Sequence, residues 1–325
     1  MKKTLTIIFT IIFTLLAINS MAKAEIKVVT SIKPIHSLVS YVMDGVGKPD
    51  IIVDGYNSPH NFSLKPSHAK MIERANLIIW VGEDLETFLE KPLKTISKDA
   101  VNVEIMDLKG IKKLKFREKN IFEGHDDHGH GHKEHKEHGH DEHKEHGHKE
   151  KKHDDHGHGE HDPHVWLDPM NAKVIVEEIK NQLVKLDPDN ASKYEANSKK
   201  AQSELDNLTK NIKADLKKDL RFVVFHDAYQ YFENRFGIKV LGALTVNPDV
   251  LPGAEQLSEI REVIEHEKVN CLFSEPQFNP AIIKSIAKDT KVKTGVLDPL
   301  GATIDKGKGM YVKLLSNMYG SFKGC

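Results

Sequence analysis

The chain of 325 residues has few cysteines and no excess of charge of either sign. Because it contains only two cysteines, it cannot be one of the small scaffolds whose fold depends on many disulfides. Its 47 Lys and Arg residues balance 48 Asp and Glu residues, which leaves a formal net charge of -1. Nucleic-acid-binding proteins usually carry a concentrated basic surface. The sequence therefore predicts no nucleic-acid partner.

The longest apolar stretch lies at the amino terminus. Lys2 and Lys3 precede an apolar run over residues 5–18, and residues 22–24 read Ala-Lys-Ala. A basic start, a short apolar run and an A-x-A sequence are typical of a cleavable signal peptide. The run is short for a bilayer span of about 20 residues, so a retained anchor is the weaker alternative. We expect residues 1–24 to direct export and to be removed from the mature protein.

The two cysteines, Cys271 and Cys325, have no feature of a reactive pair. They are far apart in sequence and form no C-x-x-C motif. In an exported chain, two cysteines are expected to pair with each other. We therefore predict a structural disulfide that ties the carboxyl terminus to the body of the protein.

Histidine is concentrated in one low-complexity segment, residues 123–163, which holds fourteen of the twenty histidines, thirteen acids and six lysines. The letters EHKEHGH occur twice within it, eight residues apart, with no apolar residue to bury. This composition predicts a disordered loop, and imidazole and carboxylate side chains favour d-block metals. An inert, solvated linker is the alternative. The candidate weak metal ligands are His125, His128, His130, His132, His135, His138, His140, His143, His146, His148, His153, His156, His158 and His161.

Outside the leader and the histidine-rich loop, about 260 residues remain, enough for two compact domains. Short runs rich in Val and Ile alternate with amphipathic helical patterns, which predicts two α/β lobes built on parallel strands. The predicted strands are residues 26–30, 51–53, 77–81 and 101–106 in the first lobe, and 222–225, 240–244, 271–274 and 293–297 in the second.

A stiff helical connection is predicted between the lobes. Asp168-Pro169 and Asp187-Pro188 each place an N-cap residue before a proline at the first helical position. Apolar residues then recur every three to four positions as far as Leu216. The predicted organisation is a signal peptide (residues 1–24), an amino-terminal lobe that includes the loop (25–168), a linker helix (169–186) and a carboxyl-terminal lobe (187–325).

Four polar residues follow predicted strands or lie at the expected seam between the lobes. His60 follows the strand over residues 51–53, His226 follows the strand over residues 222–225, and Asp298 ends the last strand. His164 lies between the histidine-rich loop and the linker helix. Ligands of α/β proteins bind beyond the carboxyl ends of parallel strands, so these residues are candidate metal ligands. Position alone does not establish a site, since an isolated histidine is more often structural.

Several motifs distributed over the whole mature chain point to a known family. They are VVTSIKPIHSLV, GYNSPHNFSLKPS, NLIIWVGEDLE, DPHVWLDP, VVFHDAYQYFENRFG, LTVNPDVLPGAEQL, FSEPQFNP and VLDPLG. With these motifs the chain resembles the metal-binding solute receptors of ABC transporters, the cluster A-I type, and within them the zinc-binding branch.

The resemblance implies two α/β lobes joined by one long helix, with the metal held in the cleft between them. His60, His164 and His226 match the family's three histidine ligands, and either Asp298 or water would complete the site. Pro59 stands where some zinc receptors have a glutamate, and His226 stands where the manganese branch has one. Zn2+ is thus the implied cargo. It would be captured in the periplasm, with no reaction on an organic substrate, and passed by a monomer to an ABC permease in the inner membrane. Release would move His226 and Asp298 away from His60 and His164.

Other functions share parts of this pattern. A receptor for manganese, nickel or cobalt, a periplasmic zinc buffer and a metal-dependent adhesin are the alternatives. Three histidine ligands with an open fourth coordination position are also found at the catalytic zinc of hydrolases. The sequence, however, has no H-E-x-x-H and no G-x-S-x-G motif. We therefore predict a binding protein and no enzyme.

Overall fold

The computed structural model describes residues 25–117, 119–121, 159–216, 220–246, 248, 250 and 252–325. Within these residues the fold consists of two α/β lobes, each with a four-stranded parallel sheet. The predicted signal peptide and all but five residues of the segment 123–163 lie outside the described residues. The two-lobe prediction is confirmed.

The first sheet has the strand order β2-β1-β3-β4. Its central strands, β1 and β3, are buried along their whole length, as expected for strands covered on both faces. Its strands are β1 (Val28–Ile32), β2 (Asp50–Val53), β3 (Leu77–Trp80) and β4 (Val101–Glu104), and its helices are α1 (Lys33–Val42), α2 (Pro66–Glu73) and α3 (Thr87–Thr95).

The second sheet has the equivalent order β6-β5-β7-β8. Its strands are β5 (Arg221–His226), β6 (Lys239–Thr245), β7 (Cys271–Ser274) and β8 (Lys293–Val296). Its helices are α6 (Gln230–Phe236), α7 (Ala254–His266), α8 (Ala281–Thr290) and α9 (Met310–Lys323). Among the described residues, no helix combines the length and the apolar character that a bilayer span requires.

The connection between the sheets is a hairpin of two helices, α4 (Pro169–Leu186) and α5 (Ala191–Asp215), which pack against each other. Asp168 caps α4, since its side chain accepts a hydrogen bond from the Met170 amide at 2.8 Å, and Pro169 fills the first turn. Helix α5 also contacts α1 and α9, so the hairpin lies against elements of both halves of the chain. The domain boundaries drawn from the sequence stay a prediction.

The disulfide joins Cys271 at the start of β7 to Cys325, with the Cα atoms 5.9 Å apart. Phe322, one turn earlier in α9, is fully buried against Phe222, Phe232 and Phe273. The bond therefore anchors a helix that already contributes to the core. The predicted pairing of the two cysteines is present.

The Cys325→Ser variant should lose about 4 kcal/mol of unfolding free energy, because the bond closes a loop with a sequence separation of 54. Denaturant titration of the variant, and of the wild-type protein with and without reductant, measures this loss. The reduced wild-type protein should match the variant. Wild-type stability that is the same with and without reductant would contradict the prediction.

Candidate metal centre

Three histidines from distant parts of the chain meet between the lobes. His60 lies in the loop that follows β2, His226 is the last residue of β5, and His164 immediately precedes a short 3-10 helix, Val165–Leu167. Each offers one ring nitrogen such that the three nitrogens lie within 4.8 Å of one another. His164 and His226 are fully buried and His60 is half-buried. The carboxyl ends of β2 and β5 therefore face one cleft, as the parallel-sheet rule predicts.

The spacing of the ring nitrogens suits a single small cation. The Nε2 atoms of His164 and His226 are 3.3 Å apart, and the three ring centroids are separated by 5.2, 5.5 and 5.8 Å. Nitrogens bound at about 2.0 to 2.1 Å to one tetrahedral ion are about 3.3 to 3.4 Å apart. The buried pair already has the separation that tetrahedral coordination requires.

A carboxylate orients each of the two buried rings. Asp162 Oδ1 lies 2.7 Å from Nδ1 of His164 and also accepts the His164 backbone amide at 2.9 Å. Glu275 Oε1 lies 2.7 Å from Nδ1 of His226. With Nδ1–H donated to the carboxylate, Nε2 of each ring is left as the acceptor directed at the centre. This arrangement of carboxylate and histidine is typical of metal sites.

The two buried imidazoles have opposite pKa shifts. Burial, with a smaller contribution from His226, holds the pKa of His164 well below its ordinary value. Burial also acts to lower the pKa of His226, but the charge and hydrogen bond of Glu275 raise it above the ordinary value. Burial raises the pKa of the Asp162 carboxyl to about 7. His164 is thus available as a neutral ligand, whereas a proton competes for His226.

Asp298 lies at the end of β8, but its oxygens are not part of the group of nitrogens described above. Its Oδ1 accepts hydrogen bonds from Gln277 Nε2 at 2.9 Å, the Leu300 amide at 3.2 Å and the Gly301 amide at 2.8 Å. Its Oδ2 is buried and has no hydrogen-bond partner among the described residues. Three hydrogen bonds therefore hold Oδ1 in place, whereas Oδ2 has no hydrogen-bond partner in the described part of the chain. The role of Asp298 as the fourth ligand stays a prediction.

The space enclosed by the histidines is small, about 10 Å³. A cavity of this size holds one ion or one water molecule and has no room for an organic molecule. Its polar walls include the imidazoles, Glu275 and Gln277, and its apolar walls include Trp166 and Phe278. Trp166 also packs on His164, with ring centroids 5.2 Å apart. The size of the site therefore fits a single ion and excludes an organic ligand.

The sequence pattern does not show that Asp162 and Glu275 orient the candidate ligand histidines. Asp162 counts among the thirteen acids of the histidine-rich segment, and its separation of two residues from His164 is the one signal that could have marked it. Glu275 follows β7, the strand paired with β5, so the same parallel-sheet rule applies to it. Of the fourteen segment histidines, only His161 is described. Its backbone pairs with Lys115 in an isolated antiparallel bridge.

Comparison with known proteins decides the family. Residues 28–325 match the family described as "Zinc-uptake complex component A periplasmic". The chain belongs to this family. The resemblance drawn from the motifs is thereby confirmed.

Similar proteins cover the chain almost end to end. It is 50% identical over 313 residues to the high-affinity zinc uptake system protein ZnuA of Brucella abortus, covering 94% of this chain and 93% of that protein. It is 38% identical to ZnuA of Yersinia pestis, covering 96% and 94%. Solved structures share the fold. A crystal structure of ZnuA has a TM-score of 0.70 at 21% identity, covering 91% of this chain and 98% of that one. The laminin-binding adhesin of Streptococcus agalactiae has a TM-score of 0.69 at 24% identity, covering 91% and 99%.

Proposed function

We propose that the protein is the periplasmic zinc receptor of an ABC importer, which binds Zn2+ between its lobes and delivers it to a membrane permease. The observation that carries the proposal is the convergence of His60, His164 and His226 on one ion-sized cavity. Family membership and the names of the zinc-uptake relatives support zinc as the cargo. Since the family is an uptake component, we assign no catalytic reaction.

Zinc capture depends on how the two buried imidazole rings are held before the metal binds. Asp162 and Glu275 hold the rings of His164 and His226 before metal arrives, so little side-chain order remains to be gained on binding. The half-buried ring of His60 closes the site from the first lobe. A nanomolar dissociation constant corresponds to about 12 kcal/mol, within the range of about 10 to 16 kcal/mol found for structural zinc sites.

An oxygen ligand is needed in the fourth position if zinc is tetrahedral. Asp298 supports this role through its buried, unpartnered Oδ2, and water is the alternative. We propose Asp298 as the ligand. We also propose export by residues 1–24, a monomeric state, and a permease with its ATPase in the inner membrane as the partner.

The proposal is tested by titrating the mature protein, without most of the histidine-rich segment, with zinc and with manganese against a competing chelator. One tight zinc per chain and much weaker manganese binding support a zinc receptor. Tight manganese or nickel binding with weak zinc binding would assign the receptor to another metal. The absence of any tight site would refute the ligand set.

Deleting residues 124–157 should leave the single tight zinc site intact and remove only weaker zinc binding. The deletion keeps His161 and Asp162, whose backbones contact Lys115 and Leu114, and so keeps the partner of His164. Equilibrium dialysis at low and high free zinc counts both classes of site. If the deletion abolishes the tight site, the segment carries the metal chemistry. If it changes neither class, the segment is an inert linker.

A further inference from the structure

A buried lysine lies at the seam between the lobes. Lys33 is the first residue of α1, and its side chain is only 7% exposed. Its ammonium donates hydrogen bonds to the carbonyl oxygens of Gly301 at 2.9 Å, Ala302 at 3.0 Å and Ile304 at 2.8 Å. An ammonium has three donors, so all of them are used on one short segment of the other half of the chain.

That segment begins directly after Asp298. Residues 299–311, here called the strap, follow Asp298 and include the first two residues of α9. Trp166 Nε1 donates to the Pro299 carbonyl at 2.8 Å. Ser37, on α1, donates to the Gly307 carbonyl at 2.7 Å and accepts the Tyr311 amide at 2.9 Å. The strap thus leaves the second sheet and is bound along its length to the first lobe.

A single backbone turn connects the residues that Lys33 binds to the Asp298 carboxylate. Asp298 Oδ1 accepts the amides of Leu300 and Gly301, and the carbonyl of Gly301 accepts the Lys33 ammonium. Gly301 has a φ of +67°, and a Cβ there would lie 2.1 Å from the Met310 side chain. The left-handed φ favours glycine at this position, and the turn presents the Gly301 carbonyl to Lys33 and the Leu300 and Gly301 amides to Asp298.

The energetic importance of this contact comes from burial. An ammonium removed from water is stabilised only when its donors are satisfied, and carbonyls left without a donor are costly in turn. The nearest carboxylate, Asp54 Oδ1, is 3.8 Å from the Lys33 Nζ and is shared with Lys306. The three carbonyls are thus the main partners of Lys33, and Lys33 is their donor.

We propose that Lys33 is a positioning residue that fixes the Asp298 turn against the first lobe and thereby determines how long zinc stays in the cleft. This inference rests on the proposed function. It assigns a role in cargo retention to a residue that cannot itself touch the metal, because all its donors are bound to the strap.

The test is Lys33→Met, which keeps most of the side-chain volume and removes the ammonium. The matched control is Lys306→Met, a lysine on the strap itself that is 54% exposed and pairs with Asp54 at the surface. The zinc off-rate is measured by mixing each loaded protein with excess chelator. Lys33→Met should still bind one zinc but release it about 10-fold faster or more, whereas Lys306→Met should stay within twofold of wild type.

A second measurement separates positioning from general stability. In the metal-free protein, hydrogen exchange at the Leu300 and Gly301 amides should speed up in Lys33→Met, while exchange in β5 stays unchanged. An unchanged off-rate in a folded Lys33→Met protein overturns the inference. If that variant does not fold, Ser37→Ala, which removes another tie of the strap, decides by the same off-rate. Failure of the wild-type protein to bind zinc tightly would refute the proposed function instead.

Discussion

Replacing His226 by alanine should weaken zinc binding by about 100-fold or more. A four-ligand site worth roughly 12 kcal/mol averages about 3 kcal/mol per ligand, and each 1.4 kcal/mol is a factor of ten. The loss should be larger than that from an orienting residue, since the variant removes a donor atom and leaves Glu275 buried without its imidazole partner. Chelator competition on the protein lacking residues 124–157 measures the change.

The matched control for that variant is His266→Ala. His266 lies at the end of α7 in the same lobe, is exposed, and is not part of the histidine cluster. Its replacement should leave zinc affinity within twofold. Equal affinities for His226→Ala and wild type would show that the tight site lies elsewhere, while equal losses in both variants would point to nonspecific binding.

The strands were predictable because their pattern is local. Short runs of Val, Ile and Phe lie in all eight observed strands or next to them, and their ends differ from the predicted ends by at most two residues. Strand β8 shows the limit of the pattern. Residues 293–297 were predicted as a strand like the others, yet Lys293–Val296 is largely exposed, with Val296 52% exposed. The apolar pattern does not tell an edge strand, paired on one side only, from a central one.

The linker shows a different limit. The Asp-Pro signal placed the start of α4 correctly, whereas Pro188 begins a short 3-10 helix, Pro188–Asn190, that precedes α5. The sequence did not show that the two helices pack against each other, and the resemblance implied one long helix. Packing between α4 and α5 depends on which faces meet, and a change of direction over four residues has no strong local signature.

The sequence marks candidate ligands but does not predict their geometry. The parallel-sheet rule selected His60, His226 and Asp298, and the motif around His164 completed the set. The distances among them depend on how two lobes sit together, which no local pattern encodes. For the same reason the sequence did not reveal that Lys33 binds the strap, 268 to 271 residues away.

The hydrogen bonds of the strap affect how the metal can be released. The sequence led us to expect His226 and Asp298 to move together, away from His60 and His164. In the structure, the turn after Asp298 is bonded to Trp166 and Lys33 on the other side of the seam. A separation of the lobes would therefore pull Asp298 in two directions, through Gln277 toward the second sheet and through the strap toward the first. Release should begin at His226, whose partner Glu275 belongs to the second lobe.

Zinc affinity should fall by up to about 100-fold between pH 7.5 and 5.5, because one displaced proton changes the apparent constant by at most tenfold per pH unit below its pKa. The pKa of His226 is raised, so its ring is protonated below that pKa and zinc must displace the proton. Above that pKa the ring is neutral and no such competition exists. His164 contributes little over this range, since its pKa is well below the ordinary value. Chelator competition at each pH measures the affinity, and calorimetry in two buffers counts the released proton.

The Glu275→Gln variant tests the cause of this dependence. Without the carboxylate, the charges of Asp227 and Asp162 still act to raise the pKa of His226, but the largest effect, burial, acts to lower it. The pKa should therefore fall, and the loss of zinc affinity should begin at a lower pH than in wild type. Affinity at pH 7.5 should also drop about 10-fold, since the ring loses the partner that orients it. Parallel pH curves for the two proteins would mean that the proton that competes with zinc is not the one on His226. In that case the raised pKa of His226 would have no part in zinc capture, and Asp162, whose pKa burial raises to about 7, would be the next residue to test.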